Sequence, residues 1–386
     1  MQPPNRYMNE VFRIINGALR LDIDKVRNYT VFLADKLEEA GDSDSANRLR
    51  KLLEETDHEL HPAGVSVGRA LPVDAESRFP LVEHVDLKNL REPPVLLTEQ
   101  QKNVVQEFLS VAKCHAQVEE DSLSSSMSLL LYGPPGCGKS RLARDIALEL
   151  GLPLYVARLD GLISSFLGST SKNIRALFEF ASRTPCVMFL DEFDAIAKLR
   201  GDTQEMGELK RVVNSFVQNL DTIAKHSIII AATNHEELLD SAVWRRFSYR
   251  IEFSFPTVEI RAAMWEQFLT PLTFSKKGID LLVDLSEGFS GSDIHDVCTR
   301  LHRRRMVTRH QPKLHDAFLA LQNLAIGEGE ERRFLAKLKN KAAEEIPGIL
   351  RERDVKRYSY GAISQLLGVS RTTVSRWSTE GVMTDG

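Results

Sequence analysis

The chain has 386 residues, 42% of them hydrophobic and 27% charged, with a net charge of −4. That is too long for one ordinary core and predicts two or three domains of a soluble globular protein. No apolar run reaches the roughly 18 residues of a membrane span, MQPPNRYMNEVFRI lacks the basic-then-apolar order of a secretion signal, and Cys114, Cys137, Cys186 and Cys298 have neither CxxC nor ligand spacing. A reduced, cytoplasmic setting is expected, without membrane contact, disulfides or structural zinc.

Residues 7–56 read as helical. Val26, Tyr29, Leu33 and Leu37 share one stripe at helical spacing. Gly41 stops that helix, and Asp42 or Ser43 caps a second one carrying Leu49, Leu52 and Leu53. A helical N-terminal domain is expected over 1–57, either a packing unit or a docking module. Periodicity fades over 58–94, where HPAGVSVGRALPVDAESRFP and REPP are linker-like. Five apolar runs follow: MSLLLYG, LPLYVARL, CVMFLDE, HSIIIAATN and YRIEFSF, with helical stretches between them. Continuous apolar runs are the mark of buried parallel strands. The expected fold is α/β, a doubly wound parallel five-stranded P-loop sheet over 95–255. A helical lid is expected over 256–325, and a basic helical region over 326–386.

The candidate chemistry begins at GPPGCGKS. It fits G-x-x-x-x-G-K-[ST] at Gly133, Gly138, Lys139 and Ser140. The strand SLLLY enters it and the helix SRLARDIALEL leaves it. The loop of Gly133, Pro134, Pro135, Gly136, Cys137 and Gly138 would wrap ATP phosphates, its glycines letting backbone N–H groups turn inward, with the helix N-terminus adding its positive end at Lys139, Ser140 and Arg141. Lys139 would reach the β- and γ-phosphates, and Ser140 would ligate Mg²⁺. CVMFLDE ends a strand in two carboxylates. Asp191 would complete the Mg²⁺ site, and Glu192 would serve as general base toward water. SIIIAATN ends in Asn234, a polar amide suited to hold the water or the γ-phosphate.

The order GPPGCGKS, FLDEFDAI, AATNHEELLDSAVWRRFSYRIEFSFP, GFSGSDI resembles the AAA ATPase family over about residues 125–300. The resemblance implies an ATPase with ATP and Mg²⁺ as cofactors. Asn234 then corresponds to the sensor 1 position, and Arg245 and Arg246 to arginine fingers that act on a neighbouring subunit's nucleotide. Fingers acting in trans imply a homo-oligomeric ring, a hexamer in this family. Gly291 and Ser292 would lie near the base and ribose, and no arginine stands at the sensor 2 position. LISSFLGSTSKNIRALFEFA resembles the first pore loop, with Phe166, Leu167 and Gly168 in the aromatic, hydrophobic and glycine places. An aromatic there grips an extended polypeptide by area burial, whatever its sequence. RGDTQEMGE would form a second pore loop, with Arg211 and Asn214 at the subunit interface. The family implies remodelling, unfolding or threading of a protein substrate, or delivery to an effector protein.

The tail YGAISQLLGVSRTTVSRWST, residues 360–379, resembles the helix-turn-helix of small bacterial regulators. Ser364 and Gly368 hold the small and turn positions, while Ile363, Leu367, Val369, Val374 and Trp377 fall where two helices pack. Ser370 caps the second helix and, with Arg371, Thr372, Ser375 and Arg376, would face DNA. Arg300 to Trp377 carries 17 Lys+Arg against 8 Asp+Glu, a net of +9 against −13 for the remainder. That asymmetry suits a nucleic-acid contact; a solvated helical face has the same composition. The alternative function is therefore an ATP-controlled DNA-binding assembly or regulator acting through this tail, and the tail's other two readings are protein docking and a packing element of the ring.

Overall fold

The computed structural model describes residues 7, 11–15, 23–55, 71–74, 78–87, 93–115, 127–157, 159, 167–195, 216, 219–220, 227–239, 241–324, 333–339 and 341–380. Residues 1–70 and 71–386 form two compact units.

The first unit is a helical hairpin of α1 (Ile23–Glu39) and α2 (Ser43–Glu55). Gly41 turns the chain at φ 86°. Asp42 caps α2, its Oδ1 accepting the Ser45 N–H at 3.1 Å. The helices approach at small residues: Ala34 and Ala46 are fully buried. The expected stripe of Val26, Tyr29, Leu33 and Leu37 is only half-buried around them. Arg50 braces the pair through Asp35 at 2.7 Å and Glu38 at 2.5 Å.

In the second unit, the elements that build the sheet are β1 (Val82–Val85), α3 (Glu99–His115), β2 (Ser128–Tyr132), α4 (Lys139–Leu150), β3 (Leu154–Ala157), α5 (Leu167–Arg183), β4 (Val187–Leu190), β5 (Ile228–Thr233), α6 (Ser241–Trp244) and β6 (Tyr249–Glu252). The strand order is β1-β3-β4-β5-β2-β6. The five expected strands are all present and parallel to one another. The sheet has a sixth strand that the sequence did not announce: β1 lies in the stretch taken for linker and pairs antiparallel with β3, Val82 opposite Ala157. Four residues with two exposed charged or polar side chains give too short a pattern to stand out. Leu129 and Leu131 pack into the cluster containing Phe108 and Ile146, whereas Leu130 packs into the cluster with Tyr155 and Phe178. Alternate residues of β2 thus bury on opposite faces, which is why the strands are uninterrupted apolar runs.

The lid is formed by α7 (Val258–Leu269), α8 (Lys276–Leu285), α9 (Gly291–Thr308) and α10 (Leu314–Leu324). Four more helices follow: α11 (Arg333–Lys339), α12 (Ile346–Arg353), α13 (Tyr360–Leu367) and α14 (Arg371–Glu380). The boundary expected at 325–326 falls within one apolar core. A single cluster runs from Trp265, Leu282 and Phe318 in the lid through Leu350, Tyr358, Ile363, Leu366 and Val374. His315 of α10 donates from Nδ1 to the Leu366 carbonyl at 2.7 Å and packs beneath Gly368. Among the described residues no helix is long and apolar enough to cross a membrane.

Candidate nucleotide-binding site

β2 delivers the chain into the loop 133–138, and α4 leaves it. Gly133, Gly136 and Gly138 stand at φ 124°, 76° and 107°. Clearance demands glycine as much as conformation does: a Cβ on Gly133 would lie 1.9 Å from the Phe253 carbonyl oxygen, and one on Gly136 2.6 Å from Ser290 Oγ. Gly138 is the N-cap of α4, and no side chain covers the first N–H groups of the helix. Open amides at a helix N-terminus form a cradle for phosphate oxygens.

Lys139 is 7% exposed. Its Nζ donates to the Gly133 and Pro134 carbonyls at 2.7 and 2.8 Å, which holds the ammonium against the loop. Burial depresses its pKa, opposed by Cys137 and Asp191. Ser140 Oγ donates to Asp191 Oδ2 at 3.0 Å, joining the first turn of α4 to the end of β4. Asp191 Oδ1 accepts the Glu192 N–H at 3.0 Å. Glu192 then stands at φ 51°, a left-handed conformation that costs a non-glycine residue about 1–3 kcal/mol. Its surroundings hold it there. Phe193 is buried against Phe216 and Phe247, and its N–H donates to the Ala232 carbonyl at 2.8 Å. Buried Asp194 accepts from Thr233 Oγ1 at 3.3 Å, and Thr233 Oγ1 accepts the His235 N–H at 3.0 Å. The β5 end that carries Asn234 is thereby tied to the acid turn at the end of β4.

These groups face a cleft of about 740 Å³ lined by Pro135 to Arg141, Asp191, Glu192, Asn234, Gly291 and Ser292. Lid and sheet meet here. The Ser292 N–H donates to the Gly136 carbonyl at 3.0 Å, and a reciprocal Ser290–Asp293 capping box fixes the start of α9. The segment from Pro93 to Leu96 forms another wall. Arg141 Nη2 donates to the Pro93 carbonyl, and the Val95 N–H to Asp145 Oδ2 at 2.8 Å.

The other candidate residues lie elsewhere. Gly133 and Pro134 serve the cleft indirectly, as the carbonyls that hold Lys139. Arg245 and Arg246 are exposed just after α6 and do not line the cleft. Leu167 and Gly168 open α5, whereas Phe166, Arg211 and Asn214 lie outside the described residues. On α14, Arg371, Thr372, Ser375 and Arg376 are exposed, and Ser370 Oγ accepts the Thr373 N–H at 3.1 Å as N-cap. Ser364 Oγ donates to the Val369 carbonyl at 2.6 Å across the turn. Met264 and Phe268 of α7 and His295 and His302 of α9 form walls that no motif in the sequence announces. The rings of Phe268 and His295 meet edge-on at 5.3 Å, and His302 Nε2 donates to the Phe268 carbonyl at 2.9 Å. The available signal was helical spacing: 291, 295, 298 and 302 form one stripe of α9.

A buried lysine beneath open amides, an oxygen pair at 3.0 Å and an acid held at the strand end together make a site for phosphoanhydride chemistry. Comparison with known proteins agrees. Residues 129–255 match the ATPase family associated with various cellular activities (AAA). An uncharacterized AAA family ATPase y4kL of Sinorhizobium fredii is 36% identical over 300 residues, 76% of this chain and 88% of that protein. The chain belongs to the AAA family and is an ATPase, converting ATP and water to ADP and phosphate.

Two further relatives match more partially. A putative 26S proteasome regulatory subunit homolog of Methanothermobacter marburgensis is 38% identical over 46% of this chain and 49% of its own. Vacuolar protein sorting-associated protein 4 of Dictyostelium discoideum is 30% identical over 71% of this chain and 60% of its own. Among solved structures, the FIGL-1 AAA domain in complex with ADP shares the fold, with a TM-score of 0.51 and 22% identity, over 69% of this chain and 93% of that one.

Proposed function

We propose that the protein works as a homo-oligomeric ring, a hexamer, that couples ATP hydrolysis to remodelling or threading of a polypeptide in the cytoplasm. The supporting observation is the placement of Arg245 and Arg246: both are exposed and stand outside the cleft of their own chain. On a neighbouring copy they would supply the positive charge that phosphoryl transfer requires, an effect worth roughly 10³–10⁵ in rate. Within one subunit, residues 95–255 carry the chemistry and 256–325 close over it. Lys139 and the loop amides hold the phosphates. Asn234 orients the attacking water, and Glu192 takes its proton. Ser140 Oγ and the Asp191 carboxylate, 3.0 Å apart, are hard oxygen donors and fit Mg²⁺, which binds through one or two carboxylates and substrate phosphates. Bound there, Mg²⁺ would neutralise phosphate charge. Phe166, Leu167 and Gly168, ahead of and at the start of α5, would grip the polypeptide, and the unit over 1–57 would recruit it.

The decisive experiment mixes two dead variants. Lys139→Ala should fail to bind nucleotide yet still present its arginines. Arg245→Ala/Arg246→Ala should bind nucleotide yet fail to hydrolyse it. If the arginines act in trans, mixing the two restores ATPase activity. Full activity of the arginine variant alone, or no recovery on mixing, removes this reading.

A second reading, DNA binding by the tail, is favoured by the exposed row of Arg371, Thr372, Ser375 and Arg376 on a capped helix. Several neighbouring basic residues are instead committed to acids: Arg353 and Arg357 to Asp284, Arg304 to Asp316, and Lys341 to Glu345. Arg371→Ala/Arg376→Ala should abolish salt-sensitive DNA retention. Unchanged retention would exclude readout by α14.

A further inference from the structure

A second cleft, of about 620 Å³, opens away from the nucleotide site between α7, α8 and the start of α13. Four cations line it: Arg261 of α7, Lys277 of α8, and Lys356 and Arg357 just before α13. Two carboxylates share it, and one of them is already committed. Asp284 accepts from Tyr358 Oη at 2.5 Å, from Arg353 Nε at 2.9 Å and from Arg357 Nη1. Asp280 stands exposed at the rim. Among the described residues, no carboxylate oxygen lies within 4.0 Å of Arg261, Lys277 or Lys356.

Arg261 is the most telling of the four. It is 7% exposed. Its Nε donates to the Val283 carbonyl at 3.1 Å and its Nη1 to the Pro256 carbonyl at 2.8 Å, so its partners are neutral. Burial lowers its pKa, opposed by Glu287 and Asp284. A guanidinium taken out of water and hydrogen-bonded to carbonyls, with its nearest acids Asp284 and Glu287 shared with Arg353, carries a cost that an anion in the cleft would offset. The helix α13 adds to the same field. Ser359 is its N-cap and accepts the Ala362 N–H at 3.4 Å, leaving the first helical N–H groups for an outside acceptor. Gly361 lines the cleft at this end, and a Cβ there would meet nothing within 4 Å. Access to the helix end is open. The floor is apolar, formed by Ala262, Leu281 and Val283.

We infer that this cleft binds a phosphorylated small molecule, its phosphate held among Arg261, Lys277, Lys356 and the N-terminus of α13 and its organic part on the apolar floor. These three cations and the helix end recognise the oxyanion, Arg357 being taken up by Asp284; the size is that of a small-molecule site. Because Arg261 Nη1 is bonded to Pro256, at the junction of sheet and lid, such a ligand would tie that junction to the C-terminal helices.

The test is calorimetric titration of the full chain with the nucleotide cleft saturated by ADP. The titrants are inorganic tripolyphosphate and phenyl phosphate. One saturable site per chain is expected, weakening as salt rises. Tighter phenyl phosphate would support an organic phosphate ester as the natural class; tighter tripolyphosphate, which has nothing to set on the apolar floor, would overturn the organic part of the inference. Lys277→Ala/Lys356→Ala removes two exposed cations of the cleft and should weaken binding at least roughly tenfold. Gly361→Glu places a carboxylate at the helix end where space is open, and should abolish binding while thermal unfolding stays unchanged. No binding of either titrant, or equal binding in all three proteins, overturns the inference.

Discussion

Asp284→Ala should release the C-terminal helices from the lid. The carboxylate is 11% exposed and gathers three donors from the end of α12 and the turn after it: the Tyr358 hydroxyl at 2.5 Å, Arg353 Nε at 2.9 Å and Arg357 Nη1. Tyr358 is fully buried, so its hydroxyl would be stranded without water, at about 1–3 kcal/mol. Arg353 keeps Glu287 at 2.5 Å and is 25% exposed, so its loss is held to about 1 kcal/mol rather than the full cost of a broken buried pair. Arg357 is 43% exposed and adds at most about 1 kcal/mol. The sum is about 3 kcal/mol, close to a hundredfold in an opening equilibrium. Hydrogen exchange read by mass spectrometry localises the effect. Peptides covering α12 to α14 should exchange about a hundredfold faster, while peptides over β2, β4 and β5 keep their protection. Adding Tyr358→Phe removes the stranded hydroxyl and should recover part of the loss. Protection of α12 to α14 within about threefold of wild type would refute the assignment of Asp284 as the clamp.

Three further outcomes follow from the site and the core. Glu192→Gln keeps shape and nucleotide affinity but lacks the base, and should lower ATP turnover by roughly 10²–10⁴; normal turnover in a phosphate-release assay would remove Glu192 from the chemistry. Phe166→Ala should leave basal ATPase intact and abolish substrate-dependent activity; a variant that still remodels as wild type would exclude the aromatic grip. Stability should fall in alkali. Burial pushes the Cys186 thiol up to about 12, and raises Cys298 and Tyr358 as well, against ordinary values of 9.0 for thiols and 10.0 for the phenol. The unfolded chain loses these protons first, so the stabilisation is complete below pH 9 and is lost as pH rises through 9 and 10. Urea midpoints at rising pH read it; Tyr358→Phe should flatten the part above pH 10, and an unchanged slope would contradict the burial argument.

What the sequence reveals about this molecule follows the range of the forces involved. The phosphate loop was legible because its constraints are local: three glycines at positive φ and a lysine six residues after the first of them close on each other's backbone. Asp191 and Asn234 were legible because a buried strand must end somewhere, and polar groups at that end share the sheet's edge. Their registration, however, depends on Asp194 bonding Thr233, two residues 39 apart, which no local pattern reports. β1 escaped for the same reason. Its reason to be a strand is the edge of β3, about 70 residues away. The tail shows the limit most plainly. Periodicity identified Ile363 and Val374 as inward-facing, but missed Leu366 and could not say what they face. They face the lid's own core, with Leu366 bonded through its carbonyl to His315. A helix pair whose apolar side is already spent on the lid can offer a partner only its outer face. Among the described residues, the exposed row from Arg371 to Arg376 is the charged part of that face, and Asp284, through Tyr358, Arg353 and Arg357, is one of the ties that hold the row to the lid of the ATPase.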